Sequence, residues 1–324
     1  MGKELYFSIN SFIIRKICII FAPSKTNLMK RILYLLAAIM LCSCMQAQSK
    51  RALLIGISNY SKYDFPPDHE WHNIHGANDV RLLVPTLTKQ GFTIDTLTNA
   101  EATAVNIRQG LENLEKTAEP GDMVYIHLSG HGQPVEDADK DEKDGWDEAF
   151  IPVDAPKKYV KGKYEGENHI LDDELNVIFT KIRKKIGPQG FIYVVVDACH
   201  AGTAYRDLDL TNKEIIRGTS VGFGPKGKEF KKPDSSKRTA QTFKIPKGIT
   251  LADICILEAC RADEYNRELR RKGSYFGPLS FYIDKVIQDM TLDKDIGWID
   301  KVKDFYSKDS ALQGEQHIVI ETSL

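Results

Sequence analysis

The chain has almost no net charge, with 44 Lys and Arg against 45 Asp and Glu. A polyanion-binding surface spread over the whole protein is therefore excluded, and nucleic acid is not an expected partner. Cysteine is sparse as well. Beyond residue 48 only Cys199, Cys255 and Cys260 remain, without a Cys-x-x-Cys spacing, so neither a zinc site nor a disulfide framework is indicated. Cys255 and Cys260 share the strand-like segment DICILEAC. Burial is the simpler reading for both, with pairing in an exported chain as the alternative. No internal repeat is apparent.

What is present begins with a leader. From Met29 the sequence MKRILYLLAAIMLCSC joins a short basic start to an apolar run of signal-peptide length, too short for a comfortable membrane span. The expectation is export to the periplasm, the envelope or the medium. Two endings compete: Leu41 to Cys44 resembles a lipoprotein box that would leave Cys44 as a lipid anchor, and Ala47 offers an ordinary cleavage point. A double membrane anchor over residues 12–43 is the less favoured alternative. Residues 1–48 are accordingly set apart as an N-terminal extension and signal peptide, leaving 49–324 as one domain.

From Arg51 onward, strand-like runs alternate with amphipathic helical patterns, the signature of an α/β fold with a mostly parallel sheet. The strands read as RALLIGI (51–57), GFTIDTL (91–97), MVYIHLS (123–129), FIYVVVD (191–197) and DICILEA (253–259). The unbroken apolar character of FIYVVV and DICIL suits strands covered on both faces. Apolar residues at helical spacing predict helices over 103–117 and 171–185. A third is expected from Asn78, kinked or shortened by Pro85. WIDKVKDFYSK and QHIVIE read as a last helix and strand. Residues 211–248 break this rhythm: KGKEFKKPDSSKRTAQTFKIPKG is basic and aperiodic, a long linker loop between 51–210 and 249–324.

The chemistry centres on DACHAG (197–202) and SGHG (129–132). Cys199 follows one strong strand and His131 another, so both are expected at the carboxyl ends of strands in one sheet, where open α/β sheets build their sites. His200 is adjacent in sequence, but successive side chains of an extended segment point apart, so it is expected to shape the loop rather than catalyse. An imidazole near a thiol can take its proton and later protonate a departing amine. Glycines flank His131, and an oxyanion hole from the Gly132 and Cys199 amides is the natural complement.

SGHG, DGWDEAFIPVDA, DACHAG and ACRADEYNRE together resemble the caspase and metacaspase group of cysteine peptidases, most closely its bacterial metacaspase-like branch. The resemblance runs from about Arg51 to Ile287, although the animal pattern of Gln-Ala-Cys is absent. It implies a caspase-like three-layer sandwich, with helices on both faces of the sheet. It also implies peptide hydrolysis after Arg or Lys, with Asp79, Ser129 and Asp197 forming an acidic first pocket for a basic protein or peptide substrate. Asp79 as a helix cap and Asp197 as a loop-fixing carboxylate are the structural alternatives. Self-cleavage in the basic loop follows from the same resemblance, with Lys226, Lys228, Lys231, Lys232, Lys237 and Arg238 on offer.

DADKDEKDGWDE (137–148) matches an EF-hand only in part, since Glu142 stands where glycine is needed. The resemblance implies instead a looser calcium set of Asp147, Asp172 and Asp173. Its fourth aspartate falls one position off, at Arg206 followed by Asp207, and a solvated acidic loop is the alternative. No cofactor is required for the chemistry itself. The competing functional readings are a catalytically idle binding module of the same fold, and a non-peptidase hydrolase such as a thioesterase using the same two residues.

Overall fold

The computed structural model describes residues 48–60, 65–66, 68–140, 142, 145–199, 215–219, 221–225, 243, 245–261, 264–312 and 316–324. The chain divides into Met1–Gln48 and a compact unit, Ser49–Leu324. The elements of that unit, in chain order, are β1 (Lys50–Gly56), α1 (Gly76–Lys89), β2 (Phe92–Thr98), α2 (Ala104–Thr117), β3 (Met123–Ser129), β4 (His131–Glu136), β5 (Trp146–Ile151), β6 (Ile170–Leu171), α3 (Asp172–Ile186), β7 (Phe191–Asp197), β8 (Asp253–Glu258), β9 (Leu269–Arg271), β10 (Ser274–Phe276), α4 (Pro278–Ile287), α5 (Trp298–Lys308) and β11 (Val319–Thr322). Among the described residues no helix is long and apolar enough to cross a membrane.

Six strands form one sheet in the order β11-β8-β7-β3-β1-β2, parallel except where β11 meets β8. Because side chains alternate across a strand, the sheet buries two separate layers. Leu53, Ile55, Val124, Ile126, Ile192 and Val194 pack on one face with α2 and α3. Leu54, Tyr125, Tyr193, Val195 and Leu257 pack on the other with α1, α4 and α5. Every residue of β3 and β7 is buried, as strands with helices on both sides require. The result is the expected three-layer α/β architecture.

Three details differ from the sequence expectation. The first helix runs unbroken from Gly76 with Pro85 inside it. Proline removes one helical hydrogen bond, and burial of Val80, Leu83 and Leu87 against the sheet offsets that loss. His131 does not sit in a loop: it opens β4, which pairs antiparallel with β5 in a small second sheet. The linker, finally, is not all surface, since residues 215–219 and 221–225 lie against the domain through bridges of Ile216 to Arg267, Gly132 to Gly218 and Val135 to Phe223.

The entry to α1 is held close to the sheet by Gly76. A Cβ there would lie 2.4 Å from the Ser129 carbonyl oxygen and 2.7 Å from that of Ile57. Both are backbone atoms that cannot swing away. Gly76→Ala is expected to destabilise the domain by about 1–3 kcal/mol, read as a lowered thermal midpoint. An unchanged midpoint would show that α1 can move away from β3 without cost.

Candidate active site

Strand register places the two key residues just past the ends of neighbouring strands. Ser129 of β3 is aligned with Asp197 of β7, so His131 and Cys199 each follow the last paired position by two residues. Both are fully buried. The His131 ring stacks on Trp71 with centroids 4.8 Å apart, meets Tyr60 at 4.8 Å and takes the edge of His72 at 4.5 Å. Its backbone N–H donates to the Tyr60 hydroxyl at 2.9 Å, which in turn donates to the Ile151 carbonyl. The ring is thus fixed in position by aromatic packing and by its own main chain.

The tautomer follows from one contact. His131 Nε2 lies 2.8 Å from the His72 carbonyl oxygen, which can only accept, so Nε2 carries the proton and Nδ1 the lone pair. Nδ1 is buried with no hydrogen-bond partner among the described residues. Burial first, and then the neighbouring His72, hold the ring well below the ordinary histidine range. His131 is therefore a neutral imidazole with a free basic nitrogen, the state a general base must start from.

Cys199 donates its thiol hydrogen to the Glu264 carbonyl at 2.9 Å. A second thiol stands beside it: Cys260, hydrogen-bonded to Cys199 and buried, is pushed well above the ordinary cysteine range. Cys255 and Cys260 are buried thiols outside any disulfide, as the burial reading expected, and Cys199 is buried with them. His200, Arg206 and Asp207 lie outside the described residues, as do Cys44 and the basic residues from Lys226 to Arg238 named for self-cleavage.

Asp79, Ser129 and Asp197 converge, fully buried, around the guanidinium of Arg217. Arg217 Nη1 reaches Asp79 Oδ2 at 2.6 Å, Ser129 Oγ at 2.8 Å, the Asp197 carbonyl at 3.2 Å and Asp197 Oδ1 at 3.5 Å. Glu268 closes the other side, with Oε1 at 3.0 Å from Nε and 2.9 Å from Nη2, while its Oε2 faces His75 Nδ1 at 2.5 Å. Burial opposes the charge on Arg217, but Asp79, Asp197 and Glu268 outweigh it and hold the guanidinium above its ordinary value.

The two predicted pocket carboxylates have unequal duties. Asp197 also accepts from Asn266 Nδ2 at 2.7 Å and from the Ser280 amide and hydroxyl at 2.8 and 2.6 Å, at the start of α4. Asp197 thus fixes the start of α4 through a backbone amide while also facing Arg217. Asp79 does not cap its helix. It accepts from Ser129 and from the Gly277 amide at 3.0 Å. Burial pushes its carboxyl up to about 7, with Arg217 opposing and Asp197 adding to the rise.

The amides expected to form the oxyanion hole are both engaged by one atom. The Arg217 carbonyl oxygen accepts from Cys199 N at 2.9 Å and from Gly132 N at 3.3 Å. The chain before it lies as an extended strand, with Arg217 N donating to Asn266 O at 3.0 Å and the Ile215 carbonyl accepting from Glu268 N at 2.9 Å. His72 Nε2 donates to the Ile216 carbonyl at 2.9 Å.

The expected calcium ligands lie close enough together for Asp173 and Asp147 to act on Asp172. Asp147 and Asp172 are buried, and burial first, then Asp173 and Asp147, push the Asp172 carboxyl up to about 8. Among the described residues no group of three or more His, Cys, Asp or Glu is arranged to hold a metal ion.

A thiol and a neutral imidazole at the carboxyl ends of neighbouring parallel strands, beside a carboxylate-lined pocket, define the class: an α/β fold with a thiol–imidazole site. Residues 50–209 match the model of the metacaspase, peptidase C14 domain, and the chain belongs to the caspase and metacaspase family. Metacaspase-1B of Aspergillus clavatus is 34% identical over 139 residues, covering 43% of this chain and 28% of the relative. Metacaspase-1 of Meyerozyma guilliermondii is 26% identical over 277 residues, covering 74% and 62%. The chain therefore spans less than two thirds of the length of these relatives. A crystal structure of a Geobacter sulfurreducens protein shares the fold, with a TM-score of 0.54 at 18% identity over 85% of this chain and 93% of that one.

Glu268, Asn266, Tyr60, His72, Trp71 and Arg217 were not singled out by sequence reasoning. Asn266 and Glu268 lie in ACRADEYNRE, which the resemblance had marked, and only their pairing with a pocket distinguishes them. Arg217 carries no local signal at all: it sits in an aperiodic segment.

Proposed function

We propose that the protein is a cysteine endopeptidase that cleaves after Arg or Lys, with Cys199 as nucleophile and His131 as general base and acid. The observation that carries this reading is the guanidinium of Arg217 enclosed by Asp79, Ser129, Asp197 and Glu268 beside Cys199. A pocket of buried carboxylates favours a cationic side chain and repels an aspartate.

In this mechanism His131 Nδ1 takes the Cys199 proton and Sγ attacks the scissile carbonyl carbon. The developing oxyanion is held by the Gly132 and Cys199 amides. His131 then protonates the leaving amine, and water hydrolyses the thioester. Fluorogenic peptides ending in Arg, Lys or Asp test the reading. Arg and Lys peptides are expected to be turned over, with Asp peptides inert; equal turnover of Asp peptides, or turnover that persists in Cys199→Ala, would refute it.

Recognition carries a pH dependence of known sign. The Asp79 carboxyl, raised to about 7 by burial, binds a guanidinium only when ionised, so turnover of an Arg peptide at low substrate concentration should rise as pH climbs through and above 7. His131, neutral well below that range, does not set this limb. In Asp79→Asn the limb should vanish at a lower plateau, and a limb that survives would assign it to another group.

Self-cleavage within 211–248, export, and a lipid anchor at Cys44 belong to the same proposal; export and the anchor rest on residues 29–44 alone. Calcium is proposed as a modulator outside the chemical steps. The crowding of Asp147, Asp172 and Asp173, which holds Asp172 protonated near neutral pH, is what a divalent cation would relieve. Calcium is expected to raise the thermal midpoint of the wild type and not that of Asp172→Asn. Equal midpoints with calcium and with chelator would remove this role.

A further inference from the structure

We infer that Cys260 is a resolving thiol for Cys199: oxidation of the nucleophile by hydrogen peroxide ends in a reversible Cys199–Cys260 disulfide that switches the peptidase off. The effect on turnover rests on the peptidase reading above, while the bond itself can be read without it.

The sheet brings the two sulfurs together. β7 and β8 are parallel neighbours with Val196 aligned with Glu258, and Ala259 N donates to Val196 O at 3.0 Å just beyond that pair. Continuing the register sets Cys260 beside Ala198 and Cys199. Cys260 Sγ lies 3.8 Å from the Ala198 carbonyl oxygen, and the two thiols are hydrogen-bonded to each other. Neighbouring strands run about 4.8 Å apart, within the range of about 4.4–6.8 Å between Cα atoms that a disulfide spans. The link therefore needs side-chain rotation and no movement of the strands. Cys255 has no such access: it precedes Cys260 by five positions, about 16 Å along the chain, and packs in the opposite layer with Tyr193 and Leu257. A buried free cysteine is by itself only packing. Cys260 differs in what it touches.

The two thiols have different parts in the chemistry. The bond to Cys199, and then burial, push the Cys260 thiol well above the ordinary cysteine range, so it stays protonated and leaves the first attack to Cys199, whose proton His131 takes in the mechanism above. Hydrogen peroxide is smaller than any peptide that must reach Cys199, so a route open to substrate admits it. Cys199 Sγ bonds to one peroxide oxygen and the oxygen–oxygen bond breaks. Sγ becomes a sulfenic acid, and the released hydroxide takes the proton from His131 and leaves as water. Cys260 Sγ then attacks the sulfenic sulfur, and its proton joins the departing hydroxide as a second water. Two thiol hydrogens and two electrons have passed to one peroxide, giving one disulfide and two waters. Without Cys260 the sulfenic acid meets a second peroxide and becomes a sulfinic acid, which thiol reductants do not restore. A dithiol reverses the disulfide by giving up two hydrogens and closing its own. Export, proposed above, would bring the chain into an oxidising compartment where such a bond persists until reduced.

The test treats the reduced full chain with hydrogen peroxide, blocks the remaining thiols and maps unreduced digests by mass. A linked pair of peptides carrying Cys199 and Cys260, lighter by two hydrogens than the separate pair, should appear in the wild type and in Cys255→Ala, and in neither Cys199→Ala nor Cys260→Ala. Turnover of an Arg peptide should be lost on oxidation and restored in full by dithiothreitol. Cys260→Ala should lose turnover equally and recover none of it, with Cys199 heavier by two oxygens. Cys260→Ser should behave in the same way, and it keeps the size of the side chain should the Ala variant fold poorly. Oxidised wild type without the link, or recovery in Cys260→Ala as complete as in the wild type, would overturn this inference and leave the peptidase reading standing. Reduced protein that turns over no Arg or Lys peptide would overturn that reading, and the linked peptides would still decide this one.

Discussion

Cys199→Ala is expected to abolish peptide turnover, with kcat reduced by about 10⁴–10⁶-fold and no comparable change in substrate binding. His131→Ala should fall nearly as far, and the double variant no further, because the two act as one unit in a single proton transfer. The structure gives the reason for the size of the effect. His131 is held between Tyr60 and Trp71 as a neutral ring whose only basic nitrogen, Nδ1, is buried and unpartnered among the described residues. No other described group is as ready to take the thiol proton. The decisive comparison is with His200→Ala, which should retain activity. Loss in His200→Ala with activity spared in His131→Ala would reverse the assignment.

The second large effect belongs to the pocket. Asp79→Ala should cost about 10³-fold in kcat/KM for Arg and Lys peptides, as a buried charge pair loses its partner. It should also destabilise the whole chain. Asp79 is the nearest carboxylate to Arg217, at 2.6 Å, and both are fully buried. Leaving a buried guanidinium short of its partner costs about 3–5 kcal/mol, or roughly 6–20 °C in thermal midpoint for a domain of this size. The measurement is best made on the Cys199→Ala background, where the chain stays uncut. Asp79→Asn, which keeps the shape and a hydrogen bond to Ser129, should stay at the lower plateau of activity and regain part of the stability. A midpoint unchanged in Asp79→Ala would mean that Asp197 and Glu268 alone retain Arg217.

Arg217 and the buried carboxylates are two aspects of one energetic problem. Asp79, Asp197 and Glu268 bring three carboxylates together out of water, an arrangement that an empty pocket would hold at considerable cost. Arg217 neutralises part of that charge while the domain folds. The three carboxylates are therefore assembled around a guanidinium. Asp197 is steadied independently by Asn266 and Ser280, with His127 Nε2 donating to the Ser280 hydroxyl at 3.0 Å, so its position does not rest on Arg217 alone.

What the sequence by itself determined were the features that depend on local pattern. Continuous apolar runs identified the central strands, helical spacing identified α2 and α3, and the position of Cys199 and His131 just past two strong strands placed them at one edge of the sheet. The match of Ser129 to Asp197 in register is the physical basis of that success: parallel neighbours of equal length end together. Pro85 misled because tertiary burial of α1 outweighed a local propensity. Only the tertiary structure decided what occupies the site. Arg217 lies 138 residues from Asp79 in a segment without periodicity, and its meaning comes from long-range pairing with β4 and with residues 266–268. No local signal encodes such a contact, because the energy that selects it is the burial of one cation among carboxylates contributed by three separate stretches of chain.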